Sequence, residues 1–179
     1  MGFAIFINSY ISFILSKGLY TVILPGCTML NEEILNRNKN INRGYRQLNI
    51  WKEGIELYVL VRNKIRGLNE VPFKIKAQIE DSIFSCHSNI AEGYSRRSLK
   101  ENIQFYNIAL ASLSENYSQL YALLEGGDID REWFNEYDAK QYSLENKLIK
   151  MNKALIQKMD KNEWNNDYMI REIIQGYSD

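Results

Sequence analysis

The sequence predicts an all-α fold, an antiparallel up-down-up-down four-helix bundle, and three observations carry that prediction. From Ser98 onward the apolar residues Leu99, Ile103, Tyr106, Leu110, Leu113, Tyr117, Leu120 and Leu124 step alternately by four and three, the seam of a helix packed lengthwise on others. The only two prolines of the 179 residues, Pro25 and Pro72, leave Leu48–Met159 almost wholly free to be helical. Helix punctuation falls at regular intervals: Gly93, a Ser98-Leu99-Lys100-Glu101 capping box, Gly126-Gly127, and Asp130 as an N-cap.

In chain order, residues 1–44 stand apart from the bundle. The apolar run 3–24 has no basic n-region before it and carries Asn8, Ser9, Ser12, Ser16 and Lys17 along its length, which argues against both a signal peptide and a clean span. Leu24-Pro25-Gly26-Cys27 faintly resembles a lipoprotein cleavage site, but proline inside it speaks against that reading. A start codon placed too early explains the run better, with Met29 as the expected start. Asn31–Gly44 is asparagine-rich without an apolar face, and a loose linker is expected there.

The first helix is expected over Leu48–Arg66, where Leu48, Trp51, Ile55, Tyr58 and Ile65 keep heptad spacing. Leu57, Leu60 and Val61 widen its apolar face, so this helix wants neighbours on more than one side. Pro72 suits the first turn of a second helix, Pro72–Glu92. That helix carries one stripe of Ile79, Ile83, Cys86 and Ile90 and an adjoining one of Phe73, Ala77, Phe84, His87 and Ala91. Gly93 follows where a left-handed residue ends a helix. The third helix runs from the capping box to Gly126-Gly127. The fourth, Arg131 to about Met159, holds Phe134, Tyr137, Leu144, Leu148, Met151 and Leu155 in register, with Gln141 the one gap. Residues 160–179 form a polar tail in which Met169, Ile170, Ile173 and Ile174 would line a short docking helix.

Basic and acidic residues both number 22, so no whole-chain field draws the protein to nucleic acid or membrane. Cys27 and Cys86 lack the spacing of a disulfide framework or zinc site, and a reducing, cytoplasmic setting fits. Glu92 and Glu115 invite a reading as a carboxylate pair. Di-metal bundle sites, however, need Glu-x-x-His, whereas Ser95 and Ser118 stand at those places and His87 is the sole histidine. No catalytic residue, metal or cofactor is therefore expected. Asn89, Glu92, Ser112 and Glu115 are read instead as a structural polar network between the second and third helices. His87 reads as a packed, hydrogen-bonded histidine and Cys86 as a small hydrophobe.

The candidate ligand site is Arg96, Arg97 and Lys100, a basic turn beside the exposed N–H groups of a helix N-terminus, where anions are favoured. Arg62, Lys64 and Arg66 form a second candidate patch for nucleic acid at the opposite end of the bundle. A solvated turn with salt bridges is the plain alternative for the first.

Ser88-Asn89-Ile90-Ala91-Glu92-Gly93-Tyr94, Arg96-Arg97-Ser98, Phe105, Ile108-Ala109 and Ala111-Ser112-Leu113-Ser114-Glu115, with Tyr45-Arg46-Gln47-Leu48-Asn49-Ile50-Trp51-Lys52 as the opening, resemble the bacterial four-helix-bundle family encoded in intervening sequences of large-subunit ribosomal RNA genes. That family is related to the accessory protein of diversity-generating retroelements. The resemblance covers about Tyr45–Lys158. It implies a protomer that assembles into a cyclic homo-oligomer, commonly a pentamer, without enzymatic activity and with a role in RNA association. Retroelement members tend to be strongly basic, whereas here Tyr45–Glu125 carries 10 basic and 9 acidic residues and Gly126–Asp179 carries 8 and 11. Ala111 replaces a frequent glycine. The expected function is a non-enzymatic homo-oligomeric scaffold or adaptor engaging RNA or an RNA-handling protein, with no membrane role. The alternative is a purely protein–protein module working through its acidic fourth helix and tail.

Overall fold

The computed structural model describes residues 32–161. The readings of the apolar run 3–24, the Leu24–Cys27 stretch, the Met29 start and the tail beyond Lys161 lie outside the described residues.

All regular structure among the described residues is helical. A short helix α1 (Glu32–Asn36) and a 3-10 helix (Ile41–Gln47) lead into four long helices. These are α2 (Asn49–Arg66), α3 (Phe73–Ser95), α4 (Leu99–Glu125) and α5 (Arg131–Asp160). At 27 and 30 residues, α4 and α5 are each about 40–45 Å long.

The sequence punctuation holds at three of four places. The Ser98 hydroxyl accepts from the Glu101 N–H while the Glu101 carboxylate accepts from the Ser98 N–H, a complete capping box. Asp130 caps α5 by accepting from the Trp133 N–H at 2.8 Å. After α4 the Asp128 N–H reaches the Leu123 carbonyl and the Gly127 N–H the Leu124 carbonyl, a Schellman closure that needs the left-handed φ of +80° at Gly127.

Gly93 is the exception. It does not end a helix: α3 continues through Ser95, and Gly93 is a buried helical residue. A Cβ there would lie 2.8 Å from the Phe105 Cβ and 3.1 Å from the Tyr106 ring. The glycine is thus required by the close approach of α3 and α4, not by backbone conformation. Helix termination falls instead to the extended Arg96 and the Ser98 cap.

Each long helix packs on the next, and α5 returns to α2. Arg62 meets Glu80, Asn116 meets Ile79, Tyr137 meets Asn116, and Lys147 meets Glu53. Ascending numbers thus meet descending ones at every pair, so all four neighbours run antiparallel.

The buried residues of α4 are Leu99, Asn102, Tyr106, Ala109, Ser112, Leu113, Asn116, Leu120 and Leu123. They form a stripe rotated from the one read in the sequence: Ile103, Leu110, Tyr117 and Leu124 are half-buried on its shoulder. Choosing the bulkier residue at each step passed over Asn102 and Asn116, which point inward. Gln141 in α5, the apparent gap, is 2% exposed and belongs to the core. Phe73 and Phe84, from the second stripe of α3, are 83% and 50% exposed.

The lead-in is more ordered than its composition suggests. Leu35 is buried, and Tyr45 sets its ring edge-on to Trp51 and Tyr94, with centroids 5.2 and 6.5 Å away. The bare backbone of Gly44 lies under the Tyr94 hydroxyl, where a Cβ would come within 2.0 Å of the oxygen. These contacts dock the 3-10 helix on the end of α3, beside the Arg96 turn.

Candidate nucleic-acid interface

The turn between α3 and α4 is three residues long, Arg96 to Ser98, and it treats its cations differently. Arg96 is braced on both sides. Its guanidinium lies 4.3 Å over the Phe105 ring and pairs with Glu92 one turn earlier. Arg97 and Lys100 are exposed. Glu101 sits among them, and its carboxyl is held below the usual range by the Ser98 hydroxyl, then by the Ser98 backbone N–H, with Arg96 and Arg97 adding to the effect. Two of the N–H groups at the start of α4 are already taken, that of Ser98 by this carboxylate and that of Glu101 by the Ser98 hydroxyl.

The docked lead-in brings further cations to the same end. Arg37 and Lys39 are exposed. Arg43 and Arg46 donate to the carbonyls of Asn38 and Arg37 at 3.1 and 3.2 Å, which folds the segment around its own cations. A shallow pocket of about 150 Å3 is lined by Lys39, Arg43, Arg46 and the backbone around Gly44. Exposed Lys158 and Lys161 finish α5 at this end, since Asn152 bonds Asn107 and the two helices run antiparallel from there.

The second candidate patch lies at the opposite end, as expected from the topology, but most of it is committed. Arg62 pairs with Glu80 at 2.9 Å, and that carboxylate also accepts from the Tyr58 hydroxyl at 3.0 Å. Lys64 pairs with the α5 cap Asp130 and lies 5.4 Å over the Trp133 ring. Asp130 is held below its ordinary pKa, first by Lys64 and then by the Trp133 N–H it caps. Of the three, Arg66 alone is exposed. Glu70, Glu125 and Asp128 surround this end with negative charge.

The expected polar network divides. Asn89 donates to the Ser85 carbonyl and hydroxyl at 2.8 Å, and Ser112 donates to the same hydroxyl at 3.0 Å, so Asn89 and Ser112 are joined through Ser85. Glu92 and Glu115 are not part of it. Both are exposed, Glu92 on Arg96 and Glu115 on Gln119. A different network is buried deeper. Asn116, 0% exposed, donates to the Ile79 carbonyl and the Ser82 hydroxyl at 3.0 and 2.9 Å and accepts from the Tyr137 hydroxyl at 2.9 Å. Ser82 in turn donates to Gln119 at 2.8 Å, and Gln141 donates to the Leu113 carbonyl at 2.8 Å.

His87 is packed as expected, between the Tyr58 and Phe84 rings with centroids 5.5 and 4.8 Å away. Its expected hydrogen bond is missing: Nε2 is buried without a partner. Burial lowers its pKa to about 4. Burial also pushes the Cys86 thiol up to about 12, the mark of an inert thiol. Among the described residues no group of His, Cys, Asp and Glu is arranged to hold a metal ion, and no helix is long and apolar enough to cross a membrane.

A family model described as 23S rRNA-intervening sequence protein matches residues 46–150, more than half of the chain. The chain belongs to that family. Among solved structures, this intervening-sequence protein is similar to a member of the S23 ribosomal protein family from Bacteroides thetaiotaomicron, itself described as of unknown function. The likeness has a TM-score of 0.56 at 25% identity and covers 58% of this chain and 98% of that one. The chain is also 27% identical over 157 residues to a probable cytoplasmic isoleucine–tRNA ligase of Enterocytozoon bieneusi (strain H348). That alignment takes in 81% of this chain but 16% of the ligase, so the chain spans a small part of that relative.

The cations of the lead-in are the feature that sequence reading passed over in this intervening-sequence protein. A signal existed in Arg37, Lys39 and Arg43, a local excess of positive charge across a polar run. What hid it was the absence of an apolar face. The segment is anchored by Leu35 and Tyr45 and by a glycine contact, none of which is periodic.

Proposed function

We propose that the chain is a non-enzymatic, cytoplasmic, homo-oligomeric scaffold, built on an up-down-up-down four-helix bundle, that associates with RNA through the end carrying the Arg96 turn. The observation that supports this reading is the separation of charge along the rod. The chain is neutral by count, yet Arg37, Lys39, Arg97, Lys100, Lys158 and Lys161 gather exposed at one end, while Arg62 and Lys64 at the other are paired with carboxylates. A phosphodiester backbone is drawn to such a surface whatever the net charge. Arg96 serves as a strut, because its contacts with Glu92 and Phe105 fix the turn that presents Arg97 and Lys100.

Binding of a labelled single-stranded RNA to the full chain, measured across a salt series, tests the reading. Arg97→Glu with Lys100→Glu is expected to weaken binding more than tenfold at low salt and to flatten the log–log salt slope by about 1–2. Identical binding by the variant would remove the assignment to this end, and absence of binding at low salt would remove the RNA role. The second reading, a protein–protein module, would then take its place, supported by Tyr142, 66% exposed on the acidic half of α5.

A further inference from the structure

The basic end has a recess as well as a surface. Lys39, Arg43 and Arg46 line a pocket of about 150 Å3 whose remaining walls are Leu35, Gly44 and two amide side chains, so it carries three cations and no carboxylate. Pockets that take whole small molecules run from about 300 Å3 upward. This one therefore suits a single small anionic group and not a base or a nucleoside.

Two of its cations are held in place by the chain itself. Arg43 commits one guanidinium nitrogen to the Asn38 carbonyl at 3.1 Å, and Arg46 one to the Arg37 carbonyl at 3.2 Å. Neither pairs with a carboxylate among the described residues. A guanidinium is a planar fork of five N–H donors, so one carbonyl orients it and leaves the rest of the fork for an anion. Lys39 is exposed and adds the third charge.

The pocket is set against the bundle and not on a free loop. The backbone of Gly44 lies under the Tyr94 hydroxyl of α3, and its neighbour Tyr45 sits edge-on to Trp51 of α2 and to Tyr94. Leu35 is buried. The carboxylates at this end do not cancel the three charges. Glu32 pairs with Lys52, Glu92 with Arg96, and Glu101 closes the Ser98 capping box. Glu33 and Asp160 are exposed, and neither lines the pocket.

Three positive charges exceed what one internal phosphodiester, with its single negative charge, would neutralise. A terminal phosphomonoester carries about −1.5 to −2 near pH 7 and presents three acceptor oxygens, which suits two guanidinium forks and an ammonium. A strand end also fits a recess of this size, whereas a continuing strand brings a sugar on either side of each phosphate. We propose that this pocket takes the terminal phosphomonoester of an RNA strand, 5′ or 3′, and anchors the strand by its end while Arg97 and Lys100 meet internal phosphates. The proposal rests on the RNA reading above and gives the docked lead-in a part in it: the segment whose composition suggests a loose linker becomes the one that tells RNA ends apart.

The test uses the full chain and one short, internally labelled single-stranded RNA in three forms, with a 5′-phosphate, a 3′-phosphate or hydroxyls at both ends. At low salt a phosphorylated form is expected to bind about tenfold tighter than the dihydroxyl form, and the form that does so identifies the end. That advantage should shrink between pH 7 and about pH 5.5, as the monoester takes up its second proton near pH 6. Arg43→Gln/Arg46→Gln is expected to abolish it. Because those arginines also hold the segment, Lys39→Gln keeps the test independent of local folding, and it is expected to cut the ratio by about threefold. Arg97→Glu/Lys100→Glu is expected to weaken all three forms alike and leave the ratio unchanged. Equal binding of the three forms, or a phosphate advantage that Lys39→Gln leaves intact, overturns the pocket and leaves the RNA reading standing. Absence of binding by every form at low salt overturns that reading and the pocket with it.

Discussion

Two sets of polar side chains bridge the helices or flank them, and they teach opposite lessons. Asn116, Ser82 and Tyr137 lie inside the rod, where each is hydrogen-bonded to another helix. Glu92 and Glu115 lie on its surface, and each is bonded within its own helix. Sequence spacing favoured the carboxylates, because charged residues three apart from polar partners suggest a site. The structure puts the weight on neutral amides and hydroxyls, which can be satisfied in the core without the desolvation penalty of a charge.

The comparison breaks most clearly at Asn116. Asn116→Ala strips partners from the Ile79 carbonyl, the Ser82 hydroxyl and the Tyr137 hydroxyl and leaves a cavity, so a loss of about 3–4 kcal/mol is expected in urea unfolding. Tyr137→Phe, which removes one hydroxyl from the same network, is expected to cost about 1–2 kcal/mol. Equal effects of the two would show that the bonds of Asn116 to Ile79 and Ser82 add nothing to its bond with Tyr137, and no effect of Tyr137→Phe would show that Asn116 acts through packing alone.

His87 sharpens the contrast by being interior, polar and unsatisfied. Its folded pKa of about 4 lies below the ordinary 6.5, so below pH 6.5 the unfolded chain takes up a proton that the folded chain refuses. Stability is therefore full above that value and falls as the pH drops from 6.5 toward 4, by up to about 3 kcal/mol. Unfolding midpoints of the wild type and His87→Leu, compared at pH 7 and pH 4.5, check this. The acid loss should be smaller in the variant by most of that amount.

Gly93→Ala comes next. The new methyl meets the Phe105 Cβ at 2.8 Å, and neither helix backbone yields cheaply, so about 1–3 kcal/mol is expected from the strain of overpacking. A gain in stability, as for a glycine replaced in an open helix, would show that α3 and α4 are not held in close approach there.

The fold was legible wherever one helix repeats a pattern or a cap has a fixed chemistry. Ser98, Asp130 and Gly127 were readable because each satisfies helix-end groups by a local rule. Gly93 was not, since whether a glycine serves conformation or close approach depends on the residue across the interface, Phe105, which lies twelve positions away. The phase of α4 was misread for a related reason. Periodicity ranks residues by apolarity, while Asn116 is inward because α3 and α5 offer it partners. At the candidate site, Arg97 and Lys100 were legible as exposed charge. The commitment of Arg62 and Lys64 to Glu80 and Asp130, from the next helix and from the last, was not.

The smallest effect is the most decisive for the comparison. Glu92 and Glu115 are both exposed, with side chains solvated around their intrahelical partners, and surface pairs of this kind contribute little. Glu92→Ala and Glu115→Ala are each expected to shift thermal stability by less than about 0.5 kcal/mol. Glu92→Ala should still have a second consequence, because it frees Arg96 from one of its two braces beside Arg97. RNA affinity at low salt is expected to rise slightly in this variant as a carboxylate leaves the basic turn, and to be unchanged in Glu115→Ala, which lies along the rod. Destabilisation of either variant by more than about 1 kcal/mol would return the carboxylates to the interior network and take the contrast away.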